Sequence, residues 1–210
     1  MQDLNEVILV DKPAGMTSFG AVARVRSYFS RKLGVNPQNG RKFKVKTGHS
    51  GTLDPFATGL LIILVGKATK RQDFYMHKDK IYVATIKLGF ASTTGDPEGE
   101  IIKKGADFEI LREDVEMVLQ KFVGKIRQTP PIYSAVKING QKAYDLARKG
   151  QKPDMPEREV EIFALDLVDF EYPLLRIRAH VSSGTYIRTL AEDIGRALGV
   201  GAYTTELRRM

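Results

Sequence analysis

Between positions 48 and 59 the chain reads Gly48-His49-Ser50-Gly51-Thr52-Leu53-Asp54-Pro55-Phe56-Ala57-Thr58-Gly59, three glycines, a proline and small hydroxyls around one carboxylate. A backbone fixed this tightly suits Asp54 to act as a positioned nucleophile or base. The same Asp-Pro step also makes an ordinary turn, in which the carboxylate caps nearby backbone N–H groups. The residues alone leave both open. His49 is likewise either a catalytic imidazole or a hydrogen-bonding surface histidine.

Other chemistries fall away on composition and spacing. The 210 residues include no Cys, which removes thiolate nucleophiles, disulfides and Cys-ligated metal centres. His49, His77 and His180 lack metal-ligand spacing, no Gly-x-Ser-x-Gly elbow occurs, and no metal site is expected. The stretch from Gly59 to Ala68 superficially suggests a phosphate loop, but six residues separate Gly59 from Gly66, and Ala68 stands where a Ser or Thr should hold magnesium.

The formal charge of +8 is regional. The first fifty residues carry nine basic against three acidic residues, and residues 151–210 carry eight against ten. The densest run is Arg41-Lys42-Phe43-Lys44-Val45-Lys46. Clustered cations interleaved with aromatics are the footprint of a phosphate-backbone partner, or else a solvated face that aids solubility. The longest apolar run, Leu60 to Val65, is far short of the ~20 residues of a membrane span, and the polar, acidic start is unlike a signal peptide. A cytoplasmic protein with no membrane association is expected.

The elements that must position these residues follow from periodicity. Glu6 to Asp11 predicts a strand, Thr17-Ser18 an N-cap, and Phe19 to Leu33 an amphipathic helix. Val35 to Thr47 predicts a loop or hairpin without period, and Gly48 to Thr58 an ordered loop. Leu60 to Val65 should be buried. Gly66 to His77 predicts a helix with Ala68 and Phe74 on one side, and Lys80 to Leu88 a strand. Phe90 to Glu100 reads as a long surface loop, 110–122 as a helix, Ser134 to Ile138 as a strand before an Asn139-Gly140 turn, and Ala143 to Arg148 as a short helix. Val160 to Phe170 and Leu174 to Val181 should pair as strands before a helix from Thr185 to Leu198. Strands and helices in irregular order predict an α+β fold with a mixed, mostly antiparallel sheet, in one domain over residues 1–210.

Five segments in order carry a family resemblance. Gly48 to Gly59 with Gly66-Lys67-Ala68-Thr69-Lys70, preceded by Asp11-Lys12-Pro13-Ala14-Gly15-Met16-Thr17-Ser18, resembles the signature of the TruB family of tRNA pseudouridine synthases. Lys80-Ile81-Tyr82, Gln128 to Lys137 with Tyr144, and Ser183-Gly184-Thr185-Tyr186-Ile187-Arg188-Thr189-Leu190 resemble its later motifs. The resemblance implies the pseudouridine synthase fold, with helices flanking the sheet and an RNA-gripping insertion over 124–158. It implies isomerisation of uridine to its C-glycoside at position 55, in the T loop of tRNA, without a cofactor. The N1 to C1′ bond breaks, the uracil turns over, and C5 rejoins C1′.

By similarity, Asp54 is the essential carboxylate, as nucleophile at C1′ or as base at C2′. Arg188 would keep it ionised, since a nearby opposite charge favours the charged form. Tyr82 would stack on the extruded uracil and relay the C5 proton. His49 would fill the vacated stack, Tyr186 would line the pocket, and Leu207 would back the uracil. Lys12 and Lys70 match motif lysines, Lys12 as a backbone clamp or as a support for the Asp54 loop. Stacking and backbone charge are the usual means of gripping unstacked RNA.

Two departures set further expectations. The chain stops at Leu207-Arg208-Arg209-Met210, where most bacterial relatives continue to a PUA domain, so a catalytic domain without PUA is expected, with its C-terminal strand an edge. The stretch from Phe19 to Thr47 is longer than is typical, and Arg41, Lys42, Lys44 and Lys46 within it are expected to contact the RNA backbone. The partner expected is the tRNA T arm, with the protein a monomer and no protein partner. An RNA chaperone that shares the fold without turnover is the second reading. A glycosidase ranks last, because only Asp54 stands in a motif loop and that chemistry needs two carboxylates.

Overall fold

The computed structural model describes residues 4–35, 37–38, 40–105 and 110–210. These fall into two compact units, the first holding 1–78 with Arg208–Met210, the second Asp79–Leu207.

In the first unit, strand β1 (Asn5–Lys12) precedes helix α1 (Ser18–Leu33), and β2 (Thr47–His49) precedes β3 (Thr58–Gly66). Thr17 caps α1 as its pattern predicts, its hydroxyl accepting from the Gly20 N–H at 2.9 Å. Strands β1 and β2 both pair antiparallel with β3, Asn5 opposite Gly66 and His49 opposite Ile63. The helix buries Ala21, Val22 and Phe29 against Leu61, Ile63, Val65 and Val45. Each large side chain so enclosed contributes about 1.5–3 kcal/mol of burial energy. The segment from Gly66 to His77 departs from one continuous helix. A 3-10 turn (Lys67–Arg71) leads into a short α2 (Gln72–Met76), and the changed period buries Ala68 while leaving Phe74 62% exposed.

The second unit opens with β4 (Lys80–Leu88), whose bounds match the alternation in sequence. The Ser/Thr/Gly-rich segment read as a surface loop is instead a hairpin, β5 (Phe90–Ser92) with β6 (Ile101–Lys103), whose turn buries Asp96. Helix α3 (Arg112–Gln120) and strand β7 (Gly124–Gln128) follow. The expected strand over 134–138 shrinks to β8 (Lys137–Ile138), paired with β9 (Gln141–Lys142) around the Asn139-Gly140 turn. Helix α4 (Ala143–Arg148), strands β10 (Arg158–Glu171) and β11 (Leu174–Val181), helix α5 (Ile187–Ala197) and strand β12 (Ala202–Arg209) complete the chain.

The sheet of this unit runs β12, β4, β11, β10, β7, with β11 antiparallel to both β4 and β10. Helix α5 packs on β4 and on α3, and α3 on β10. Ile187, Leu190, Ala191 and Ile194, spaced as one helical face, go into a core with Ala84, Ile86, Ile177 and Val115. The last strand is not the free edge expected of it. Arg208 and Arg209, which belong to the first unit, pair in parallel with Thr58 and Gly59. Gly59 sits at φ 102°, and a Cβ there would overlap the Arg209 carbonyl, so the close approach of the two strands requires glycine.

Candidate functional site

In the first unit the Asp54 loop is held from three directions. Ser18, at the start of α1, donates its hydroxyl to the Leu53 carbonyl and accepts the Leu53 N–H, both at 2.8 Å, which fixes the peptide preceding Asp54. Lys12, at the end of β1, is 0% exposed. Its Nζ donates to the carbonyls of Pro13 at 2.9 Å, Met16 at 2.7 Å and Pro55 at 3.2 Å. The Gly15 N–H adds a bond to the Pro55 carbonyl at 2.8 Å. Lys12 thus touches the carbonyl of Pro55, the residue that follows Asp54.

The third anchor is Arg209. Its buried guanidinium reaches the carbonyls of Leu60 at 2.6 Å, Gly51 at 3.3 Å and Thr52 at 3.5 Å. Nothing in the local sequence signals this, because the partners lie some 150 positions away. Leu53 and Ala57 are buried on either side of a half-buried Asp54, and the Ala57 N–H closes a turn on the Asp54 carbonyl at 3.2 Å. Beside the loop, Arg208 grips Asp11 through two bonds of 2.8 and 3.1 Å, and that hydrogen bonding holds the Asp11 carboxyl below its usual range.

His49 begins the loop, half-buried at the end of β2, and its carbonyl accepts from Gln72 at 3.0 Å. Burial, then the charge of Arg209, lowers its pKa against a raising bond to the Gly51 backbone, so the ring is neutral near pH 7. Lys70 is exposed on the 3-10 turn. Arg41, Lys42, Lys44 and Lys46 are all exposed, while Phe43 and Val45 between them turn inward. From Lys42 to Lys46 the side chains alternate outward and inward, and the Ser30 hydroxyl donates to the Phe43 carbonyl at 2.8 Å.

In the second unit Arg188, in the first turn of α5, is buried against a carboxylate of its own unit. Its guanidinium bonds Asp96 at 3.0 Å, the Thr94 carbonyl at 2.8 Å and the Tyr133 carbonyl at 2.9 Å. The two side chains are only 4% and 5% exposed. Asp96 also accepts from the Thr94 hydroxyl and, at 3.0 Å, from the Glu98 N–H, so the hairpin turn folds around this carboxylate. Gly95 sits at φ 72°, a left-handed conformation that favours glycine. Burial first, then the charge of Asp193, pushes Glu192 above its usual range.

Tyr186 is locked by a reciprocal pair with the buried Gln128. Its N–H donates to the Gln128 amide oxygen at 3.1 Å, and the Gln128 amide donates back to the Tyr186 carbonyl at 3.3 Å. Arg158 stacks 5.9 Å from the Tyr186 ring. Tyr82 is buried on β4 opposite Ala179, and Leu207 is buried on β12. The structure thus gathers Lys12, His49 and Asp54 around one pinned loop in the first unit. In the second it gathers Tyr186 and Arg188 at the head of α5. Among the described residues no cluster of His, Asp and Glu could hold a metal ion, and no helix is long and apolar enough to cross a membrane.

Residues 39–187 match the family described as TruB family pseudouridylate synthase (N terminal domain). The chain is 46% identical to the tRNA pseudouridine synthase B of Phocaeicola vulgatus, over 97% of this chain and 84% of that protein. It is 45% identical to that of Dechloromonas aromatica, over 100% of this chain and 65% of the relative. Among solved structures it is similar to one described as the crystal structure of a Cbf5-Nop10-Gar1 complex, with TM-score 0.70 and 30% identity, covering 99% of this chain and 48% of that one.

Proposed function

The chain belongs to the TruB family of pseudouridylate synthases, and from that premise we propose that it isomerises uridine to pseudouridine in tRNA, with a uridine of the T loop as its target. The reaction is an internal transfer whose atoms balance: the N1 to C1′ bond is lost, the C5 to C1′ bond is gained, a proton leaves C5 and a proton ends on N1. A base inside a folded loop must leave its stack before C1′ is accessible.

Asp54 is the carboxylate of the reaction, attacking C1′ or removing the C2′ proton. What supports it is its setting, a half-buried carboxylate on a loop pinned by Ser18, Lys12 and Arg209. Anchors that grip the loop's backbone fix where the carboxylate sits, which is what a near-attack geometry demands. Tyr82 and Tyr186 are the aromatic faces for the extruded uracil, Leu207 its apolar backing, and Tyr82 the relay for the C5 proton. Arg188 supplies the cation, and Asp96 is its positioning residue. His49 fills the vacated stack, and a neutral imidazole is less costly than a charged one to desolvate there. Lys70, Arg41, Lys42, Lys44 and Lys46 face the RNA backbone.

The test is to incubate the protein with an unmodified tRNA transcript and analyse its nucleosides by chromatography. One pseudouridine per transcript, mapped to the T loop, is expected. Unaltered uridine throughout would overturn the proposal.

A further inference from the structure

From Lys12 to Leu53 the chain carries nine Lys and Arg and no Asp or Glu. Folding gathers part of that charge into a groove. Helix α1 and the stretch around Phe43 border a volume of about 570 Å³ lined by Ala23, Arg26, Ser27, Ser30, Arg31, Lys42, Phe43, Lys44 and Val45. Four cations and two hydroxyls rim it, Ala23, Phe43 and Val45 form its apolar floor, and no carboxylate lines it. The Ser30 hydroxyl ties its two walls together by donating to the Phe43 carbonyl, and Val45 is fixed in the core beneath. Arg26 is steadied over the Phe19 ring at 5.6 Å.

We propose that this groove holds the phosphate backbone of the RNA stem that carries the target loop, with Arg26 and Arg31 of α1 acting together with Lys42 and Lys44. The proposal rests on the tRNA-acting reading above. It extends that reading by adding the helix arginines and by naming a duplex as the groove's occupant.

The geometry within the first unit selects the stem. Helix α1 begins at Ser18, which is bonded to the residue preceding Asp54. At 1.5 Å per residue, Arg26 lies roughly 12 Å and Arg31 roughly 20 Å along the helix from that point. A stem lying along α1 therefore passes the groove several base pairs from the reacting uridine. Unstacked loop nucleotides are gripped by aromatic faces, whereas the groove offers cations and hydroxyls at its rim, the donors that suit phosphate oxygens.

The experiment measures affinity across a salt series for a T-arm hairpin and for an unstructured oligonucleotide of the same length. It compares the parent protein with R26A/R31A, K42A/K44A and the charge-keeping R26K/R31K. Each phosphate neutralised contributes about 0.9 to the slope of log K against log salt, so each alanine pair should flatten the hairpin slope by about 2 and weaken binding about ten-fold or more near 0.1 M salt. R26K/R31K should keep the parent slope, which separates lost charge from a disturbed fold. Unchanged slopes for the hairpin in both alanine pairs would overturn the proposal. Equal flattening on hairpin and unstructured RNA would overturn the stem assignment. Should the parent form no pseudouridine while the alanine pairs still flatten the hairpin slope, the catalytic reading falls and the groove stands.

Discussion

Two buried arrangements of cationic side chains hold the candidate residues, and they are built on opposite electrostatic plans. In the first unit Lys12 and Arg209 enter the protein to bind carbonyl oxygens of the Asp54 loop and its neighbours. In the second, Arg188 meets an ionisable partner, Asp96, and two carbonyls. A cation on carbonyls fixes a backbone while keeping its charge, so it leaves a neighbouring carboxylate in a positive field. A cation on a buried carboxylate is partly neutralised, and its worth lies in the direction it is made to point.

The difference is testable by breaking each plan in turn. Asp96→Asn should have the largest effect, because it leaves the buried Arg188 charge facing a neutral amide. A loss of about 3–4 kcal/mol in urea unfolding is expected, with pseudouridine formation down about 10²-fold as the guanidinium loses its aim. A loss of under 1 kcal/mol would mean that the pair is not what holds the hairpin turn. Lys12→Met comes next. It removes one charged donor from three carbonyls, and about 2–3 kcal/mol should go, with Asp54 displaced and activity reduced in parallel. Full activity in a destabilised Lys12→Met protein would separate loop support from catalysis.

Ser18→Ala should cost about 1–2 kcal/mol, since the Leu53 N–H and carbonyl lose one shared partner in a buried place. The smallest effect concerns His49. Its folded pKa lies below the ordinary 6.5, so the unfolded chain binds a proton that the folded one refuses. Its contribution to stability is therefore complete above about pH 6.5 and declines as pH falls from there towards the folded pKa. His49→Gln should flatten that part of the stability curve, measured by urea unfolding at pH 8 and pH 5.5.

The parts that were legible in sequence are those in which neighbours decide. The Thr17 cap needs only the residues after it, and the Lys80 to Leu88 strand needs only its own alternation. The parts that were missed depend on distant partners. Asp96 sits among Ser, Thr and Gly that announce a loop, and its burial is decided by Arg188, 92 positions later. Arg209 anchors Gly51 across 158 positions. Strand β7, with Lys125 and Arg127 outward, has too little apolar alternation to declare itself and takes its place from its pairing with β10. A continuous helical period would set Phe74 beside Ala68, and the 3-10 turn before it breaks that period. As for the candidate site, the motifs pointed to Asp54, His49 and Lys12, whereas Arg209, which also holds the loop, shows itself only once the chain is folded.

The central claim is that Asp54, on its pinned loop, is the carboxylate that reacts. Closing the C5 to C1′ bond must expel the hydrogen on C5, so the direct measurement is tritium released from T-arm RNA labelled at uracil C5, with the parent protein beside Asp54→Asn, each checked for RNA binding. Stoichiometric release by the parent, and a drop of at least about 10³-fold in Asp54→Asn with binding retained, is the predicted result. Comparable release from both proteins would contradict it and move the chemistry away from the loop that Lys12, Ser18 and Arg209 hold.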